Sequence, residues 1–445
     1  MTEIRETSPD YAAMSEARQA ANAHGVVVIG AGQAGGRAVE ALRAQGFAGH
    51  ITLVGDEDEH PYERPSLSKE MLHTQNQETI AWVQKPEFYA AQNISLRSGT
   101  RAVAIDRQQR TVKLADGEMV GYGALILATG ARVRRLDVPG ASEDNCHYLR
   151  TLADSRALRA RLVEGSRVVV IGAGFIGLEV AAAAVKRGCF VTVIEIGPLP
   201  LGRVVPEQIG AYYQNLHAAQ GVTFLFGAKL TRLHRDGKTV VVETEAGDMI
   251  PAETVVAGIG VIPNDELAGE SGLSVERGIV VDEFGMTSDS FIFAAGDVAR
   301  HFNPIFGRHI LLESWQNAQN QAIAIAKNLA TEAAPVPYAD LPWFWSDQYD
   351  INLQMFGLTE PGAQSVIRGN PDAKSWMLCL LKDGRMICAI GMNAARELRA
   401  ARDLITMSVG LQAAELADAA VPLVELVRRE KRARALTNEN AITTV

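Results

Sequence analysis

Six glycines and two carboxylates in this chain have the spacing of sites for phosphate-bearing ligands. Gly30, Gly32 and Gly35 form GxGxxG in GAGQAGG, and Gly172, Gly174 and Gly177 repeat it in GAGFIG. In such a turn the first glycine permits a tight bend, the second lets backbone amides approach a pyrophosphate, and the third allows close strand-to-helix packing. The anion then sits at the helix N-terminus. Each copy is followed, at the distance a βαβ unit sets, by an acid at the end of an apolar run. These are Asp56, beside Glu57, after ITLVG, and Glu195 at the end of VTVIE. A carboxylate at that point accepts hydrogen bonds from adenosine ribose hydroxyls and repels a 2'-phosphate, so Glu195 favours NADH over NADPH. Arg187 and Arg203, close in sequence, would soften the preference.

The elements that must hold these residues are legible around them. VVVIGAGQAGGRAVEALRAQGFAGHITLVGDE reads as strand, turn, helix, strand, and RVVVIGAGFIGLEVAAAAVKRGCFVTVIE repeats the scheme. Two such units imply two open parallel sheets. TVKLADGEMVGYGALILATG and TVVVETEAGDMIPAETVVAGIG each read as a hairpin and a returning strand. SDSFIFAAGDVA reads as a strand ending on a Gly-Asp turn, placed to complete the first sheet by an insertion topology. The prolines of TEAAPVPYADLP mark a linker near residue 335. Several strands and a helix follow it, making a smaller α+β domain whose charged tail is expected to be a fraying helix.

Composition bounds what the chain does. With 445 residues, 47% hydrophobic and 21% charged, it is expected to be a soluble protein of two or three domains. A net charge of -9 argues against general nucleic-acid binding. No apolar run approaches the roughly 18–20 residues of a membrane span. The first 24 residues lack a hydrophobic signal region and carry several acids, which reads as a loose polar extension on a cytoplasmic protein. Cys146, Cys189, Cys379 and Cys388 have neither CxxC nor CxxxxC spacing, so no dithiol pair and no zinc or iron–sulfur site is expected, and each reads as a packed thiol.

The chain resembles the FAD-dependent pyridine nucleotide-disulfide reductase superfamily, and within it the ferredoxin reductases of bacterial oxygenase systems, the putidaredoxin reductase-like branch. The matching pieces are GAGQAGG, PYERPSLSK, LATGAR, YLRTLADS, GAGFIGLEVAAAA, AGIGVIPN, AAGDVA, SWQNAQNQA and PWFWSDQYDINLQMFG. They run from residue 25 to about 410. The resemblance implies an α/β fold with two Rossmann-like dinucleotide-binding domains plus a C-terminal α+β domain. The expected limits are 1–24 for a flexible extension, 25–133 and 266–334 for FAD binding, 134–265 for NAD binding, and 335–445 for the C-terminal domain.

Carried over position by position, the resemblance assigns Gly30, Gly32, Ala34, Gly35, Asp56, Lys69, Ala102, Arg150, Asp297 and Trp315 to FAD. It assigns Gly172, Gly174, Phe175, Ile176, Gly177, Glu195 and Gly260 to NAD. Asp297 has its own rationale, since an acid at a strand end can order ribityl hydroxyls. Lys69 and Glu179 are the implied catalytic pair: the family's lysine sits near flavin N5, where an ammonium stabilises negative charge on reduced flavin, and its glutamate faces that position.

Unlike the disulfide-reducing branches, the segment from Gly35 to Lys69 has no cysteine, so electrons must leave to an external acceptor. The implied activity is hydride transfer from NADH to FAD, then single electrons to a small iron–sulfur ferredoxin that feeds a haem-thiolate or Rieske-type oxygenase. Two alternatives stay open: an NADH oxidase or quinone-type reductase, and an NADH-sensing signalling flavoprotein. The basic runs Arg132, Arg134, Arg135 and Arg396, Arg399, Arg402 are candidates for docking an acidic ferredoxin or are solvated faces. Trp343 and Trp345 read as packing between domains rather than as an electron route. We expect a monomer or weak dimer, with no metal site.

Overall fold

The computed structural model describes residues 9–74 and 79–443. The chain forms two compact units. The first comprises Met1–Leu67, Thr74–Arg134 and Gly260–Asp340; the second comprises Ser68–His73, Arg135–Ile259 and Leu341–Val445.

In the first unit, strand Val26–Ile29 lies at the centre of a five-stranded parallel sheet, between Ile51–Val54 and Ala124–Leu127. Ile94–Arg97 and Ile292–Ala294 form its edges. The three inner strands are buried along their whole length, which is why VVVI, ITLV and ALIL are unbroken apolar runs rather than alternating ones. Ile292–Ala294 returns from far down the chain to pair with Ala124–Leu127, the insertion expected from SDSFIFAAGDVA. Helix Gln33–Ala44 leaves the first glycine turn and shares its core, through Val39 and Leu42, with Ala322 and Ile325 of helix Trp315–Ala330.

Residues 9–24 overturn one expectation: they are not a loose extension but helix Pro9–His24. Met14, Ala17 and Ala21 recur on one helical face and are fully buried in the core of the first unit. Arg18 clamps the helix by donating from Nε to Asn328 O at 2.5 Å and from Nη2 to Ala333 O at 2.8 Å. Polar composition masked the pattern because two of the three inward residues are alanines. Residues 1–8 of the extension lie outside the described residues.

The second unit holds a parallel sheet in the order Thr223–Phe226, Phe190–Glu195, Arg167–Ile171, Thr254–Ala257. It also holds a five-stranded antiparallel sheet in the order Trp343–Gln348, Ile351–Gly357, Arg385–Met392, Trp376–Lys382, Gln364–Gly369. The amphipathic helix Ala395–Thr406 buries Leu398, Ala401 and Leu404. The stretch read as a separate domain from residue 335 does not stand alone. Val170, Leu178 and Val180 from the parallel part share one apolar cluster with Leu353, Leu378 and Ile390 from the antiparallel sheet. The chain re-enters the first unit at Gly260 rather than residue 266, because Val261–Pro263 pairs with Ala131–Val133. The charged tail is helix Leu423–Thr443. Among the described residues no helix is long and apolar enough to cross a membrane.

Candidate cofactor-binding and redox site

The two glycine turns have matching geometry, and each glycine can be asked whether the chain itself requires it. Gly30 and Gly172 have φ of +109° and +97°, backbone that L side chains rarely adopt. A Cβ on Gly35 would lie 1.8 Å from Gly30 O, and one on Gly177 would lie 2.1 Å from Gly172 O, so these glycines let the helix approach the strand. The middle glycines differ. Gly32 and Gly174 have φ of -92° and -75°, which any residue tolerates, and an added Cβ would meet no protein atom closer than 3.9 Å. No contact within the protein demands glycine there, which leaves the backbone open to a ligand. Both turns open helices with no side-chain cap and no acid in the first turn, which leaves the N-terminal amides and the positive dipole end for an anion. The turns therefore fit the pyrophosphates of two dinucleotides.

Around the first turn the structure brings together residues of the first unit from distant positions. Ala34 packs under the Gly-Asp turn, where a Cβ on Gly296 would be 3.1 Å from Ala34 Cβ. Gln321 Oε1 accepts from Gly296 N–H at 3.0 Å, so helix Trp315–Ala330 braces the turn that carries Asp297. Asp56 is exposed at its strand end and pairs loosely with Arg101 at 3.3 Å. Glu57 is committed: it accepts from the Tyr62 hydroxyl at 2.5 Å and from Arg64 Nη2 at 2.6 Å.

Sequence reasoning missed Arg64, whose Nη2 is the protein atom nearest to the space above Gly32. Burial opposes the Arg64 cation, but Tyr62, Glu57 and Asp297 more than offset it and hold its pKa above the ordinary value. A guanidinium fixed beside an anion-binding turn suits a pyrophosphate. The signal lay in PYERPSLSK, where Arg64 stands between Glu63 and Pro65. Ala102 is buried at the start of strand Ala102–Asp106. Arg150 falls in the second unit, its backbone N–H donating to Asp154 at the start of helix Leu152–Arg161.

At the second turn, Glu195 is engaged on both carboxylate oxygens. Oε2 accepts from Ala173 N–H at 2.7 Å and Oε1 from Gly197 N–H at 2.8 Å, so the acid ties its strand end to the glycine turn. The Arg187 guanidinium is turned to the Leu162 carbonyl at 2.7 Å, which removes it from direct competition for Glu195. The Phe175 ring packs tilted against Phe344, centroids 4.5 Å apart, while Ile176 is 47% exposed beside it. Gly260 has φ +102° and belongs to the first unit, where its carbonyl accepts from Arg134 N–H.

Lys69 and Glu179 meet within the second unit. Lys69 Nζ lies 3.0 Å from both Glu179 oxygens, and the Ser68 hydroxyl also donates to Oε2. Glu179 is 3% exposed, on the apolar helix Phe175–Lys186. Lys69 Nζ also lies 5.9 Å from the centre of the Trp345 ring, which stacks on Trp343 at 4.9 Å. All four cysteines are free and buried. Burial pushes the Cys146 thiol up to about 11 and Cys379 up to about 12, conditions under which neither acts as a thiolate. Of the basic runs, Arg132 pairs with Glu266, Arg135 with Glu143 and Arg402 with Asp403. Arg134, Arg396 and Arg399 are exposed, without an ion pair among the described residues.

A family model described as pyridine nucleotide-disulphide oxidoreductase matches residues 24–322. The chain belongs to this family. A second model, described as reductase C-terminal, matches residues 343–427 of this pyridine nucleotide-disulphide oxidoreductase. Among curated relatives, the ferredoxin--NAD(+) reductase component of the anthranilate 1,2-dioxygenase system of Burkholderia cepacia is 48% identical over 400 residues, 89% of this chain and 98% of that one. The solved ferredoxin reductase for the CYP199A2 system of Rhodopseudomonas palustris superposes with a TM-score of 0.87 at 40% identity, covering 90% of this chain and 99% of that one. A covalent putidaredoxin reductase-putidaredoxin complex gives a TM-score of 0.88 at 38% identity, covering 91% and 98%. FAD and NAD(H) are the cofactors this family implies, in keeping with the two glycine turns.

Proposed function

We propose that this chain is an NADH-dependent ferredoxin reductase that supplies electrons to an oxygenase system. The observation that carries the reading is the pair of glycine turns whose middle glycines leave backbone open to a ligand, in a chain whose relatives are ferredoxin--NAD(+) reductase components. The overall reaction takes one NADH and two oxidised ferredoxins to NAD+, a proton and two reduced ferredoxins. Bound FAD supplies the conversion of a two-electron hydride into single electrons.

The chain's own residues bind and orient. The turn at Gly30, Gly32, Ala34 and Gly35, with Arg64 over it, would hold the FAD pyrophosphate, Asp56 the adenosine ribose and Asp297 the ribityl chain. The turn at Gly172, Gly174 and Gly177 would hold NADH, with Glu195 at the ribose and Phe175 and Ile176 beside the nicotinamide. Ala102, Arg150 and Trp315 toward FAD, and Gly260 toward NAD, belong to the same proposal. Lys69 is the cation assigned to offset the negative charge a hydride brings, and Glu179 holds it in place. The ferredoxin partner is proposed on the printed relatives, with Arg134, Arg396 and Arg399 as exposed unpaired cations for an acidic surface. Residence in the cytoplasm is supported by four buried, free thiols, and a monomer or weak dimer completes the proposal.

The purified protein is expected to be yellow, to be bleached anaerobically by stoichiometric NADH, and to reduce cytochrome c only when a ferredoxin is added. A colourless, flavin-free protein, or faster turnover with oxygen or quinones than with every ferredoxin tried, overturns the reading.

A further inference from the structure

Beyond the ion pair, the Glu179 carboxylate heads a line of buried hydrogen bonds that contains no other charged group. Ser346 Oγ donates to Glu179 Oε1 at 2.6 Å, and Gln348 Nε2 donates to Ser346 Oγ at 3.1 Å. Gln348 Oε1 lies 2.7 Å from His217 Nε2, and the Tyr349 hydroxyl lies 3.0 Å from His217 Nδ1. Ser346, Gln348 and His217 are at most 1% exposed. All six residues from Lys69 to Tyr349 lie in the second unit.

The donor inventory sets the direction of every link. An ionised carboxylate only accepts, so Ser346 gives its single O–H to Glu179 and must accept from Gln348. A carboxamide that turns its N–H to Ser346 turns its oxygen to His217, so Nε2 carries the imidazole proton. Nδ1 is then a lone pair, which accepts the Tyr349 O–H. Reversing any link sets donor against donor or acceptor against acceptor in a dry interior, where an unmade hydrogen bond is expensive. Burial pushes the His217 pKa down to about 4, which keeps the ring neutral. The backbone adds an independent sign. Tyr349 has φ +56°, left-handed and unfavourable for a bulky residue, in the turn between the paired Gln348 and Ile351, and this brings its ring to 5.0 Å from the His217 ring.

We infer that Ser346, Gln348, His217 and Tyr349 are positioning residues for the Lys69–Glu179 pair: a chain of fixed polarity that holds the Glu179 carboxylate aimed at Lys69. Around Glu179 stand Lys69 from the Ser68–His73 segment and Tyr213 from helix Glu207–Ala219, the latter also within reach of Asp347 from strand Trp343–Gln348. Of these, Lys69 touches the carboxylate directly. Removing the Ser346 donor frees Glu179 Oε1 to turn away from Lys69. Flavin reduction by NADH then slows while NADH binding holds, because the displaced group is the cation-positioning acid and not a ligand of the nucleotide.

Two measurements on the flavin-loaded protein test this. The first is nitrogen-15 NMR of labelled histidines, with His217→Gln assigning the resonance. It should show His217 neutral at neutral pH, protonated on Nε2 and bare on Nδ1; a proton on Nδ1 overturns the proposed polarity. The second compares Ser346→Ala, Ser346→Thr and Tyr349→Phe in stopped-flow reduction by NADH, at a temperature where far-UV circular dichroism matches the parent protein. Ser346→Ala should lower the rate constant for flavin reduction by about threefold with the Kd for NADH unchanged, Tyr349→Phe less, and Ser346→Thr should restore it. A lowered melting temperature with an unchanged rate constant for flavin reduction would leave these residues a packing role and overturn the inference. The second readout rests on the ferredoxin reductase reading, but the first does not. A protein that NADH fails to reduce sinks that reading while the imidazole proton still reports on the chain.

Discussion

Glu195 serves two purposes with one carboxylate. It accepts the Ala173 and Gly197 amides, which shapes the second glycine turn, and in the proposed binding mode it meets the ribose or a 2'-phosphate. These roles separate by substitution. Glu195→Gln keeps one acceptor oxygen, turns an NH2 toward the other amide and removes the repelling charge, so the melting temperature should fall less than in Glu195→Ala while the preference for NADH over NADPH, measured as a ratio of kcat/KM, falls about tenfold, about 1.4 kcal/mol. Glu195→Ala should relax the preference as well, raise KM for NADH and lower the melting temperature, because the Ala173 N–H loses its acceptor. Unchanged cofactor preference in both variants removes Glu195 from recognition. Arg64 teaches a related lesson. Its place in PYERPSLSK was visible, but a lone arginine in a loop is ordinarily solvated, and its guanidinium gains meaning from Glu57, Tyr62 and the open space over Gly32.

Each strand-turn-helix unit spends its glycines on different needs, and stability should report the difference. Gly177→Ala drives a Cβ to 2.1 Å from Gly172 O, against backbone that cannot yield, and should cost at or above the about 1–3 kcal/mol typical of overpacking. Gly174→Ala meets nothing closer than 3.9 Å and should leave urea unfolding unchanged within about 0.5 kcal/mol, while raising the Kd for NADH with flavin retained. Equal loss of stability in the two variants would contradict the cradle assigned to Gly174. These elements were legible because their signals are local: unbroken apolar strands, glycines at fixed offsets and an acid one unit later. Helix Pro9–His24 was not, because Met14, Ala17 and Ala21 look unremarkable until a core exists to receive them.

Acid stability is a property of the whole molecule, and each unit contributes a buried histidine to it. His217 in the second unit and His301 in the first have pKa values lowered to about 4, chiefly by burial. The unfolded chain binds these protons near about 6.5, so stability is full above that value and falls as pH drops, the loss being complete near about 4. Each histidine should withdraw about 3 kcal/mol over that window, and about 2 kcal/mol of it between about pH 7 and pH 5. Urea midpoints measured at those two pH values should therefore differ clearly, and His301→Gln should reduce the difference; coincident midpoints would show that neither ring is buried neutral.

The amino-acid order alone settles the two glycine turns, their acids, the returning strands and the parallel sheets, because turn geometry and burial patterns act over a few residues or one βαβ unit. It also places Lys69 and Glu179 by likeness. The folded molecule supplies what is non-local. Lys69 and Glu179 stand 110 positions apart, Glu179 and Ser346 167, and His217 and Gln348 131. A buried polar residue is tolerable when it has a partner, and nothing in its own neighbourhood of sequence names that partner. Packing of the second unit brings these groups together, and their donor and acceptor chemistry then dictates which way each one points.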